Sequence, residues 1–225
     1  GSLKRSFDIL RQRLSAEGLF DMERKRPLPQ YPARVAVISS TQAAGYADFM
    51  KIAGERWGGV TFIFANVKVQ GDGAADQAVK AIAHCNQLAE PPEVIVLIRG
   101  GGSAEDLASF NDEHLVRAVA GSRVPVLTGI GHEIDESLCD LAADVRAATP
   151  SNAAQLLFPD KHEVRRQLEL RMGSVAEVIQ RQIKERRLFA TMLQQAALDQ
   201  WSRRVEIAMN ATLSQQRIIA EYDPE

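Results

Sequence analysis

Cysteine is scarce in this 225-residue chain. Cys85 and Cys139 are its only two, and both lie in apolar-patterned segments with no CxxC pair or Cys/His cluster. That excludes a disulfide framework and gives no sign of a zinc site, so both read as small buried hydrophobes. No run approaches the ~18 apolar residues of a membrane span, and the basic start Leu3-Lys4-Arg5 lacks the apolar stretch of a secretory leader. The expectation is a soluble, cytoplasmic protein, with Gly1-Ser2 as a cloning remnant. The glycine-rich stretches contain neither GxGxxG nor GxxxxGK[S/T], so the dinucleotide fingerprint and the P-loop are both missing. Between Pro159 and Pro224 there is no proline, and Gly173 is the single glycine.

Against these absences stands an average globular composition, 45% hydrophobic and 25% charged, which can bury a real core. The net charge of −2 hides an asymmetry. Residues 1–34 carry 8 Lys/Arg against 4 Asp/Glu, residues 35–159 carry 8 against 15, and residues 160–225 carry 11 against 10. An acidic centre between basic flanks suits carboxylate chemistry on a phosphate substrate, and equally a solvated acidic surface.

The apolar pattern divides the chain into three parts: residues 1–33, 34–158 and 159–225. Leu3, Phe7, Leu10 and Leu14 recur at helical spacing up to a stop at Gly18, and Pro27, Pro29 and Pro32 then make an extended connector. From Arg34, strands over Val35–Ile38, Val60–Val69, Val94–Ile98 and Val124–Thr128 alternate with helices over Ala43–Trp57, Ala74–Leu88, Ala104–Ala120 and Glu136–Ala143. Strands apolar on both faces that alternate with helices predict an α/β fold: a doubly wound, mainly parallel sheet in a three-layer sandwich. Beyond Pro159, steps of 3 and 4 through Val164, Leu168, Met172, Val175 and Ile179, and again from Leu193 to Leu213, predict a long helical, coiled-coil arm. One straight helix of ~60 residues would reach ~90 Å, so a reversal is expected near Ala196–Trp201, although no Gly or Pro marks it.

Two strand ends carry candidate chemistry. The third strand runs into Arg99-Gly100-Gly101-Gly102-Ser103. Backbone N–H groups there can cradle an anion beside a guanidinium fork, and the same glycines also suit a tight turn capped by Ser103. The fourth strand runs into Gly131-His132-Glu133-Ile134-Asp135. A histidine with carboxylates close by, at the carboxyl end of a parallel strand, can exchange protons near neutrality. Glu136, Asp140 and Asp144 follow at i, i+4, and their repulsion calls for Arg146, a metal or solvent to compensate.

The runs Arg99–Asp112 (RGGGSAEDLASFND), Gly131–Ser151 (GHEIDESLCDLAADVRAATPS) and Leu14–Phe20 (LSAEGLF) together resemble the large subunit of bacterial exodeoxyribonuclease VII. The resemblance covers essentially the whole chain. It implies hydrolysis of single-stranded DNA to short 5′-phosphorylated oligonucleotides and a small helical partner subunit bound in several copies by the arm. It also implies that Asp48, Arg99, His132 and Asp135 are the essential residues, while Gly100, Gly101, Gly102 and Ser103 are the phosphate-binding candidates of the anion cradle. Mg²⁺ on Asp48 and Asp135 is one route, and metal-free work by His132 and Arg99 is the other. Three departures stand out. Ala43-Ala44-Gly45 replaces a usual Gly-Ala-Ala, Ala108 replaces an aromatic, and the family's N-terminal oligonucleotide-binding domain is absent, as in a truncated form. Two rival readings remain at this level: a non-catalytic nucleotide- or phosphosugar-binding module, and a structural assembly subunit whose arm, open also to self-association, is the working part.

Overall fold

A computed structural model describes residues 2–100, 104–131 and 136–221. The chain forms two compact units, residues 1–165 and 166–225. The first begins with helix α1 (Ser2–Ala16). Gly18, at φ 76°, ends it: its N–H donates to Ser15 O and that of Leu19 to Leu14 O, a Schellman closure that needs the left-handed conformation.

The sheet then assembles from β1 (Arg34–Ser39), α2 (Ala44–Arg56), β2 (Thr61–Asn66), α3 (Ala74–Gln87) and β3 (Val94–Ile98). After a 3-10 stretch (Ala104–Asn111) come α4 (Glu113–Ala120), β4 (Val126–Gly129), α5 (Leu138–Ala142), β5 (Val145–Arg146) and α6 (Pro150–Leu157). All five strands are parallel, in the order β2-β1-β3-β4-β5.

Strand parity builds the three layers. Ala36, Ile38, Ile95 and Leu97 face a core shared with Leu14 of α1, Ile82 and Cys85 of α3, and Leu115, Val116 and Val119 of α4. Val35, Val37, Val94 and Val96 face the opposite way, against Phe49 and Ala53 of α2 and Ala153, Ala154 and Leu157 of α6. The order reverses between β1 and β3, because β1 connects outward to β2 while the chain returns across it to β3. A crevice opens at the carboxyl ends of strands that diverge in this way. Both cysteines are buried and free; burial pushes the Cys85 thiol up, and burial reinforced by Asp140 and Asp112 pushes Cys139 up much further.

The structure departs from the sequence pattern at several places. The single helix expected over Ala104–Ala120 is a 3-10 stretch followed by α4, because Asp112 has extended backbone and its side chain accepts the N–H groups of His114 and Leu115 as an N-cap. The second strand stops at Asn66. The short helix expected from Glu136 begins only at Leu138, where Ser137 and Asp140 form a capping box.

Asp140 is therefore a cap, and Asp144 lies beyond the helix. The carboxylate of Asp144 accepts the Arg26 backbone N–H, Nε and Nη2 at 2.8–2.9 Å and the Val126 N–H at 2.7 Å. Glu136 meets Arg146 at 3.4 Å. Lys25 Nζ donates to the carbonyls of Leu141 and Ala143, so the connector is clamped to the α/β unit.

The reversal expected near Ala196–Trp201 is absent, and α7 runs unbroken from Lys161 to Glu221. With no glycine or proline at Ala196–Trp201 to stop it, the i→i−4 ladder simply continues there. No helix among the described residues is long and apolar enough to cross a membrane.

Candidate functional site

Beside the crevice at the β1 and β3 ends, a cleft of about 230 Å³ lies between the β3 and β4 exits and the starts of α2 and α6. Asp48 reaches it from the exposed side of α2, one turn from the helix start. Arg99 enters directly from the end of β3; its N–H donates to Gly129 O of β4 at 3.3 Å, and it is only 3% exposed. A guanidinium buried that far acts through a poorly screened medium, so its pull on an anion in the cleft exceeds that of a surface arginine. Gly100 and Gly131 line the same space. Asp48, Arg99 and Gly100 thus come together as expected. Gly101, Gly102, Ser103, His132 and Asp135 lie outside the described residues, although the backbone at Gly100 and Gly131 leads directly to them.

Gly45 sets how closely α2 approaches. A Cβ there would lie 2.7 Å from Gly100 Cα, 2.8 Å from Pro150 Cγ and 2.9 Å from Arg99 O, closer than such atoms ever sit. The glycine of Ala43-Ala44-Gly45 therefore stands where α2 meets the β3 exit, and this contact fixes Asp48 relative to Arg99. Ala108 is exposed, so the missing aromatic leaves no gap in the core.

The sequence reading missed the far wall, formed by Thr149, Pro150 and Ser151. These residues open α6: the Thr149 side chain accepts the Asn152 N–H, and Pro150 takes the first helical position. The Thr-Pro pair was the available sign of a helix start, but nothing in it indicated the cleft. Also unforeseen was Asn111, whose Oδ1 accepts the Leu138 N–H at 2.8 Å and so links the segment after the glycine run to the segment after His132. A second hollow of about 330 Å³ adjoins the cleft, sharing Ala44 and Gly100 with it and extending toward Lys68 beyond β2. Among the described residues no group of three or more His, Cys, Asp or Glu side chains stands close enough to share a metal ion.

An open parallel sheet with an acid and a buried arginine at its switch point defines an α/β domain suited to anionic ligands. Residues 19–221 match the family described as exonuclease VII, large subunit, and the chain belongs to that family. It is 45% identical over 161 residues to the exodeoxyribonuclease 7 large subunit of Rhodopirellula baltica, covering 72% of this chain and 36% of that protein. The protein of the same name from Thioalkalivibrio sulfidiphilus is 42% identical over 188 residues, 84% of this chain and 42% of the relative. That of Stenotrophomonas maltophilia is 48% identical over 164 residues, 73% and 37% respectively. The chain is thus about half the length of these relatives, and the matched stretch covers 36–42% of them.

Proposed function

We propose that the chain carries the catalytic centre of an exodeoxyribonuclease that hydrolyses single-stranded DNA to short 5′-phosphorylated oligonucleotides. The observation that carries this reading is the convergence of Asp48 and Arg99 in one cleft that Gly131, the residue before His132 in the chain, also lines. Water attacks phosphorus, the bond to the 3′ oxygen breaks, the phosphate stays on the 5′ side of the product, and the leaving oxygen takes a proton. Arg99 and the N–H groups of Gly100 to Ser103 stabilise charge on the non-bridging oxygens. His132 moves the proton, and Asp135 orients its ring. Asp48 and Asp135 are the carboxylates that would hold Mg²⁺, and a bound ion would supply Lewis-acid stabilisation and activation of water.

The second unit supports assembly with a partner. Leu168, Val175, Val205 and Leu213 of α7 are 46–58% exposed. A seam of that length left in water is an interaction surface. The small subunit of the enzyme, in several copies, is the partner we assign to it, and self-association of the arm is the alternative; the working compartment is the cytoplasm.

The test is release of label from single-stranded DNA by the full-length large subunit assembled with its small subunit, with and without EDTA. His132→Ala should lower turnover by ~10² to 10⁴-fold while the circular dichroism stays unchanged. Arg99→Lys should also lower it, because a point charge cannot reproduce a bidentate fork. No release by the unsubstituted assembly would end the nuclease reading. Near-normal turnover by folded His132→Ala would move the proton to another group.

A further inference from the structure

The edge strand β2 presents a row of side chains to which the reaction assigns no role. Phe62, Phe64 and Asn66 occupy alternate positions of β2 and share one face, while Ile63 and Ala65 turn into the core on the other; past the strand end Val67 and Val69 are buried and Lys68 is exposed between them. Phe64 remains 47% exposed. Its ring stacks on Phe62 at 5.9 Å and meets Tyr46 edge-on at 5.6 Å, and Tyr46 is two residues from Asp48 on α2. Beyond them, Asn66 Oδ1 accepts the Thr41 N–H, and the Lys68 backbone N–H donates to Gln77 Oε1.

Among the described residues, Lys68 is the only charged one lining the hollow of about 330 Å³, and no carboxylate of theirs lines it. Among the described residues Lys68 forms no ion pair, although the surrounding segment is strongly acidic. The hollow adjoins the cleft, the two sharing Ala44 and Gly100 in their walls. The β2 and β3 exits lie two inter-strand spacings apart, about 9.5 Å, within the span of a few nucleotides.

We infer that single-stranded DNA leaving the cleft is held along the β2 edge, with a phosphate against Lys68 and a base on the aromatic corner of Tyr46 and Phe64. A cation beside an exposed ring is the combination that grips single strands without reading their sequence, since every base has a π-face and every nucleotide a charge. This inference rests on the substrate reading above.

The probe is a short 5′-fluorescein-labelled oligothymidylate, titrated by anisotropy against the whole chain with His132→Ala in the background to prevent cutting, over a series of salt concentrations. Lys68→Gln should reduce the slope of log affinity against log salt by about 0.7, the contribution of one single-strand phosphate, and Lys68→Arg should restore it. Phe64→Leu keeps the apolar bulk but loses the π-face; it should weaken binding about 5- to 150-fold with the slope unchanged. Lys80→Gln on α3 should alter neither. If Phe64→Leu fails to fold, the salt slope of Lys68→Gln decides alone. Unchanged affinity and slope in Lys68→Gln, with the parent chain binding, overturns the inference and leaves the nuclease reading standing. No binding by the parent chain removes the DNA reading, and this track with it.

Discussion

Replacing Gly45 by alanine tests whether the approach of α2 to β3 fixes the site. The added Cβ would sit about 0.5–0.7 Å inside ordinary contact with three atoms. Two belong to the backbone of Arg99 and Gly100, and the third is in the ring of Pro150, so none can swing away. Overpacking of this kind costs about 1–3 kcal/mol, offset by up to about 1 kcal/mol of helix propensity. Gly54 in the same helix has nothing within 4 Å of its Cβ direction, so Gly54→Ala should stabilise by about 0.4–1 kcal/mol. The two variants should therefore differ by about 2 kcal/mol, which at a urea slope near 2 kcal/mol/M separates their midpoints by roughly 1 M. Trp57, at the end of α2 and stacked on Tyr31 at 5.4 Å, supplies the fluorescence signal once Trp201→Phe silences the arm. Gly45→Ala should also cost up to about 10²-fold in cleavage by the assembled enzyme, because Asp48 shifts relative to Arg99. If Gly45→Ala unfolds at or above the midpoint of Gly54→Ala, the contact does not govern the helix and the argument fails.

Two further substitutions probe the supports of the site. Burial raises the pKa of Asp144, but the hydrogen bonds from Arg26 and Val126 and the Arg26 charge outweigh it, leaving the net value lowered. A depressed carboxylate contributes stability above its unfolded pKa of ~3.9 that disappears as pH falls through the folded value. Asp144→Asn should therefore cost about 2 kcal/mol at pH 7 and flatten the loss below pH ~4, measured by urea titrations at both pH values; an unchanged acid limb would clear Asp144 of that role. Asn111→Ala strips the Leu138 N–H of its acceptor and should cost about 1–3 kcal/mol, with faster hydrogen exchange at that amide. Unaltered exchange there would mean the link is not what holds the two segments.

The sheet was legible because β3 is apolar at every position and β1 from Val35 to Ile38, a pattern that only a strand covered on both faces needs. β5 went unseen because two residues have no periodicity to read. The break before α4 was written in Asp112, a good N-cap, but an apolar pattern running through it concealed the change from 3-10 to α-helix. In the arm, the absence of glycine and proline around Ala196–Trp201 was a better guide than an argument from length. In the site, Asp48 came from the family resemblance alone, while Arg99 was legible because it follows a strand, where parallel sheets place their ligands. Thr149–Ser151 and the Arg26 clamp on Asp144 were not, since both depend on tertiary contacts; the latter joins residues 118 positions apart.

The two buried thiols give the molecule a pair of internal clocks. Alkylating reagents consume thiolate, and in the closed fold Cys85 and Cys139 are both out of reach and held in the neutral form. Each can be labelled only during an opening of its own helix, so the labelling rate counts those openings. Cys85 times α3, and Cys139 times α5, the helix joined to the glycine-run segment by Asn111. Native cysteines thus separate breathing of the scaffold from breathing beside the candidate site, without a single added probe.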